Sequence, residues 1–95
     1  MDGKPCVYLL ASRPRGALYV GVTSRLNRRV WEHRHHFVSG HTAKYGIYRL
    51  VWYELHESME SAIQREKALK RWRRAWKIAL VEQMNPRWDD LFPVA

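Results

Sequence analysis

Cysteine is nearly missing from this 95-residue chain. Cys6 is the only one, so no intrachain disulfide can form and no paired-cysteine zinc set exists. Long apolar runs are missing too, which excludes a membrane-spanning helix of the usual ~20 residues. The opening Met-Asp-Gly-Lys-Pro leads into no apolar signal segment. A reducing, cytoplasmic setting is therefore the expectation. There is no internal repeat, low-complexity tract, P-loop, Gly-rich dinucleotide fingerprint or Ser–His–Asp order. Acidic residues are scarce: 9 Asp and Glu stand against 17 Lys and Arg, for a net charge of +8. Such a balance selects polyanionic partners (DNA, RNA or an acidic membrane face) unless the surface is simply basic.

What is present suits one domain over residues 1–95 with a modest core. The hydrophobic fraction of 46% is ordinary, so nothing reads as disordered. Five Trp and five Tyr exceed what so small a core needs, and nucleobases stack on such rings. That combination shifts the reading toward nucleic acid.

Residues 5–11 read as a first strand and residues 17–22 as a second. The Ser-Arg-Pro-Arg-Gly turn between them makes an antiparallel hairpin. Tyr8 and Tyr19 would then point to one side. Gly21 interrupts the second strand, as glycine does at a bulge or where another group approaches the backbone closely. Thr23 and Ser24 are cap candidates for a helix over residues 25–37. Its apolar side is Leu26, Val30, Phe37 and Trp31. Arg29 and His33 are four apart and share a face. Two tyrosines, a cation and an imidazole then converge, a set suited to a phosphate.

Residues 38–46 read as a loop that brings Lys44 and Tyr45 toward a ligand. Residues 48–56 read as a third strand, with Leu50, Trp52 and Glu54 on one face and Val51, Tyr53 and Leu55 on the other. Ser58 caps a helix that runs from Met59 to Met84, broken near Arg73 and stopped by Asn85-Pro86. Trp88, Leu91 and Phe92 in the tail pack back on the body.

Glu66 is out of place. Ala62, Ile63, Leu69, Arg73, Trp76 and Leu80 form a helical stripe, and Glu66 lies near its middle. A carboxylate turned inward needs a cation, donors or a metal. A salt bridge with Arg29, Arg65 or Lys70, or a helix rotated so that Glu66 faces water, is one reading; a Mg²⁺ ligand is the other. The basic run from Lys67 to Lys77 is either a solvated face or a rail for the nucleic-acid backbone. His33, His35 and His36 do not have the spacing of a helical zinc pair. Cys6 reads as a small buried residue and not as a nucleophile.

Taken in order, these residues resemble the GIY-YIG nucleases. Cys6-Val7-Tyr8 and Tyr19-Val20-Gly21 stand for the two named motifs. Arg29 lies ten residues after Tyr19, and His33 four further on. Glu66 falls on the later helix, and Asn85 opens Asn-Pro-Arg-Trp-Asp-Asp-Leu. The likeness covers nearly the whole chain and is to the small stand-alone bacterial members. It implies an α+β fold, a three-stranded antiparallel sheet flanked by helices in the order β-β-α-β-α-α. It also implies a metal-dependent endonuclease acting on single-stranded, duplex or branched DNA, without a membrane or small-molecule partner; with no added domain, a monomer is the expectation. The implied roles are Tyr8 as base, Tyr19 positioning water or phosphate, Arg29 on a phosphate oxygen, and His33 orienting. Glu66 would hold Mg²⁺, or Mn²⁺ in its place. Arg25, Lys44, Lys70, Arg73, Arg74 and Lys77 would contact the nucleic acid, with Gly21 and Asn85 in support. The competing function is a non-catalytic nucleic-acid-binding module.

Overall fold

A computed structural model describes residues 3–35 and 44–95 of the chain. Its elements are β1 (Cys6–Ala11), β2 (Leu18–Thr23), α1 (Leu26–Arg34), β3 (Arg49–Leu55), α2 (Met59–Arg71) and α3 (Arg74–Met84). The strands form an antiparallel sheet in the order β2-β1-β3, the α+β arrangement expected. Among the described residues no helix is long and apolar enough to cross a membrane.

The central strand is buried along its whole length because both sheet faces are covered. Val7, Leu9 and Ala11 join Val20, Val51, Ala62, Leu69 and Val81 under α2 and α3. Cys6, Tyr8 and Leu10 join Leu26, Val30, Ile47 and Leu50 under α1. Each buried Val, Leu or Ile side chain among them contributes about 1.5–3 kcal/mol. Burial also pushes the Cys6 thiol up to about 11, in keeping with a packing role.

β1 and β2 pair without a break, from Cys6 opposite Thr23 to Ala11 opposite Leu18. The β1–β3 ladder has a bulge. Leu9 faces Trp52 and Leu10 faces Leu50, so Val51 is the extra residue. The strict alternation expected of β3 fails there: Val51 and Trp52 both pack under α2 and α3, while Leu50 and Tyr53 lie toward α1.

Three further expectations change. The position before α1 is Arg25, which makes no side-chain cap bond; Thr23 Oγ1 instead accepts from the Arg25 amide at 3.0 Å. α1 ends at Arg34, before the expected residue 37; His36, Phe37 and residues 38–43, where a loop was expected, lie outside the described residues. Lys44 and Tyr45 are helical and not looped. The Ser58 cap forms as expected, its hydroxyl accepting from the Ser61 amide at 3.1 Å. Trp72 and Arg73 are both extended (ψ 147° and 148°), which breaks the long helix where expected. The break also splits the apolar stripe. Ala62 and Leu69 are buried, but Ile63 and Trp76 face solvent.

The tail packs back through polar clamps as well as Trp88 and Leu91. Leu91 donates its amide to Leu50 O at 2.8 Å, and the Asn27 side chain brackets the Val94 backbone at 2.7 and 2.8 Å.

Candidate active site

Strand register brings the two tyrosines together. Tyr8 lies opposite Gly21 and Leu10 opposite Tyr19, so both rings project on the α1 side of the sheet. Their centroids are 6.2 Å apart. From α1, the buried His33 closes a triangle, 6.1 Å from Tyr8 and 5.2 Å from Tyr19, edge-on to both. The Tyr8 hydroxyl and His33 Nε2 share a hydrogen bond of 3.1 Å. Gly21 is what permits this: a Cβ there would overlap Cζ and Oη of Tyr8. Its expected close approach is therefore the ring of the facing tyrosine.

Burial shapes the protonation of this cluster. It pushes the Tyr8 hydroxyl well above its ordinary pKa, and Tyr19 adds to the rise while the Arg29 guanidinium opposes it. Burial also lowers His33 to about 4, helped by the Arg29 charge and opposed by Glu32. His33 is therefore a neutral ring at pH 7. Burial works to lower Arg29, but contacts with Tyr8 and Glu32 outweigh it and its pKa rises.

Arg29 also lines an open cleft of about 300 Å³ with Thr23, Ser24, Arg25, Arg28 and Glu32. Glu32 accepts from Arg28 at 3.4 Å and Arg29 at 3.3 Å. Arg28 and Glu32 are additions to the expected set. Their four-residue spacing was the signal available for them.

Glu66 comes from the opposite layer, where α2 packs along β1 and β2. Its side chain is only 14% exposed, and Oε2 lies 2.8 Å from Lys70 Nζ. The carboxylate raises the Lys70 pKa, and Tyr19 contributes to the same rise. Among the described residues no three His, Cys, Asp or Glu side chains converge. One sheltered carboxylate fits Mg²⁺, which takes one or two carboxylates and fills its other positions with water and phosphate oxygens. It does not fit zinc, which takes three or four protein ligands, His and Cys above all.

The remaining residues divide. Arg25 lines the cleft. Lys44 lies over the Tyr45 ring at 5.4 Å and Arg73 over Trp76 at 5.4 Å. Lys77 is half-buried on α3. Arg74 is engaged elsewhere than expected: its Nη2 donates to the carbonyls of Arg15 and Gly16 in the β1–β2 turn. Asn85 bonds to Val51 O and to both backbone groups of Asp89, which ties the tail to β3. A network that the sequence did not announce links His56 to Glu54 at 2.7 Å and to Ser61 at 2.9 Å, with Arg65 on Glu54 at 3.1 Å. It fastens the end of β3 to the start of α2.

A family model described as the GIY-YIG catalytic domain matches residues 4–79. The solution NMR structure of a UPF0213 protein from Bacillus halodurans matches with a TM-score of 0.57 and 26% sequence identity, over 97% of each chain. No curated protein matches the chain.

Proposed function

Because the chain belongs to the GIY-YIG family, whose general function is nuclease chemistry on nucleic acid with a divalent metal, we propose that it is a Mg²⁺-dependent endonuclease that hydrolyses DNA phosphodiester bonds. The observation that carries this reading is the Tyr8–His33 hydrogen bond set beside Tyr19 and Arg29, over a glycine that the arrangement requires.

The raised pKa of Tyr8 argues against a free phenolate, and none is needed. With the His33 proton on Nδ1, the Tyr8 hydroxyl donates to Nε2. Its oxygen then takes a proton from the attacking water as its own proton passes to His33. Burial keeps His33 neutral at pH 7, so Nε2 accepts the hydrogen bond from the Tyr8 hydroxyl. Arg29, reaching both Tyr8 and the cleft, holds a non-bridging phosphate oxygen and offsets the charge that grows in the transition state. Tyr19 orients the water or the phosphate. A bound Mg²⁺, or Mn²⁺, supplies the charge that polarises the phosphate and stabilises the leaving oxygen. Glu66 would hold it, exchanging its bond to Lys70 for the ion and leaving that ammonium to the substrate.

The test uses labelled single-stranded, duplex and flapped DNA with Mg²⁺, Mn²⁺ or EDTA. Wild-type protein should cut one or more of these only with metal. Glu66→Gln should bind DNA and cut at least about 10³-fold more slowly, the scale of losing a principal electrostatic group. Full cleavage by Glu66→Gln would sink the mechanism. The Glu66–Lys70 ion pair favours a second reading, a binding module without catalysis. That one expects salt-sensitive binding and no cutting by the wild type.

A further inference from the structure

Trp76 has no role in the core that its place in the apolar stripe suggested. It is 53% exposed, at the start of α3. The reason is the extended pair Trp72-Arg73, which turns the chain between the helices and carries Trp76 outward. Trp72 packs against the core from its edge, so one ring of the pair is anchored. The other meets it at 6.0 Å with planes at 85°. One cation lies over each ring: Arg73 over Trp76 at 5.4 Å, and Arg65, which also pairs with Glu54, over Trp72 at 5.2 Å. Between Glu66 and Glu82 the chain holds six Lys and Arg and no acidic residue. Trp76 and Trp72 thus form an aromatic pair in a stretch of chain that carries only positive charge.

We propose that Trp76, braced by Trp72 and flanked by Arg73, is a stacking platform for an unpaired base of the substrate strand. Bases inside a duplex are already stacked on one another and are closed to such a ring. An unpaired base offers a π-face to Trp76 and a phosphate to the neighbouring guanidinium. Trp72, the brace of the platform, directly follows Arg71, the last residue of the helix that carries Glu66. The platform rests on the nuclease reading of Glu66 and the tyrosine cluster, and it gives that site a preference for substrates with a single-stranded segment.

The experiment measures binding in EDTA by fluorescence anisotropy. The probes are a labelled oligo(dT), a blunt duplex of the same length and an abasic strand. Trp76→Ala should weaken oligo(dT) binding by about tenfold to a hundredfold, the range for losing one base–aromatic stack, and should leave duplex binding within about twofold. Trp76→Phe should restore most of the loss. Wild-type protein should bind the abasic strand about as weakly as Trp76→Ala binds oligo(dT). Circular dichroism and thermal melting check that the variants fold. Equal losses on single strand and duplex, or no loss on either, overturn the platform. If the wild type cuts DNA while Trp76→Ala changes nothing, the platform fails and the nuclease reading stands. If the wild type neither binds nor cuts any probe, both fail.

Discussion

The two neighbours of β1 meet it in different ways. Its ladder with β2 is unbroken over six pairs, whereas its ladder with β3 carries a bulge at Val51. The regular side holds the residues of the proposed active site: Tyr8 over Gly21, Tyr19 beside them, His33 and Arg29 reaching in from α1. The bulged side holds the fastenings, with Asn85 on Val51, Asp90 on Leu50 and Arg49 on Trp88. Ring positions within a reacting cluster depend on register, and a one-residue slip would send Tyr8 or Tyr19 to the other face. A bulge is harmless where the strand only anchors a tail. On the proposed function, activity depends on one ladder and anchoring of the tail on the other, and each can be broken separately.

Among changes that separate the two ladders, the largest effect is expected from Gly21→Ala. The new methyl would overlap the Tyr8 ring, and the ring cannot shift without losing His33. Overpacking of this kind costs about 1–3 kcal/mol, read as a lower Tm. Cleavage should fall by about a hundredfold in the fraction that remains folded, as displacement of a reacting group by about 1 Å does. A Gly21→Ala protein with wild-type kcat/KM would show that the close approach is packing without catalytic consequence.

How much of this was open to sequence reasoning follows the distance along the chain. Tyr8, Tyr19 and Gly21 lie in one hairpin, and Arg29 and His33 one helical turn apart just after it. Local periodicity placed all five. Glu66 stood out because a carboxylate in an apolar stripe needs a partner, and Lys70, one turn on, is that partner. The rest depended on contacts that no periodicity encodes. Arg74 reaches a turn 58 residues earlier, and Asn27 meets Val94 across 67. The bulge at Val51 came from the fit between strands, and the outward turn of Trp76 from a break whose position was expected but whose direction was not.

The pH dependence of stability sharpens the comparison from the β2 side. In the fold His33 has a pKa of about 4, against an ordinary value of 6.5. Between those values the unfolded chain binds a proton that the folded chain refuses, so stability falls as pH is lowered through the window. The full loss is about 3 kcal/mol, at 1.36 kcal/mol per pKa unit, and about half of it comes between pH 6.5 and pH 5. Glu82, lowered from 4.5 to about 2 chiefly by Arg15, loses its contribution only below that range. Urea melts at pH 6.5 and pH 5 should thus separate the two groups. His33→Gln should flatten the slope. An unchanged slope would show that His33 is not held neutral by burial.

Asn85→Ala breaks the bulged side and should have the smallest effect of the three on the site. The buried side chain donates to Val51 O at 3.1 Å and Asp89 O at 2.8 Å, and accepts from the Asp89 amide at 3.0 Å. Truncation leaves those groups without their partner, a cost of about 2 kcal/mol. That should appear as a lower denaturant midpoint with the m-value unchanged, because the same surface is exposed on unfolding. Cleavage per folded molecule should stay at the wild-type level, since all three bonds serve the tail and β3. Leu50 and Trp52 face β1 on either side of Val51, so the bulge absorbs a shift of the tail before it reaches the Tyr8–Gly21 pair. A loss of kcat/KM larger than the loss of folded protein would mean that the two ladders are coupled through β1. Asn85 would then be a positioning residue for the tyrosines and not only the anchor of the tail.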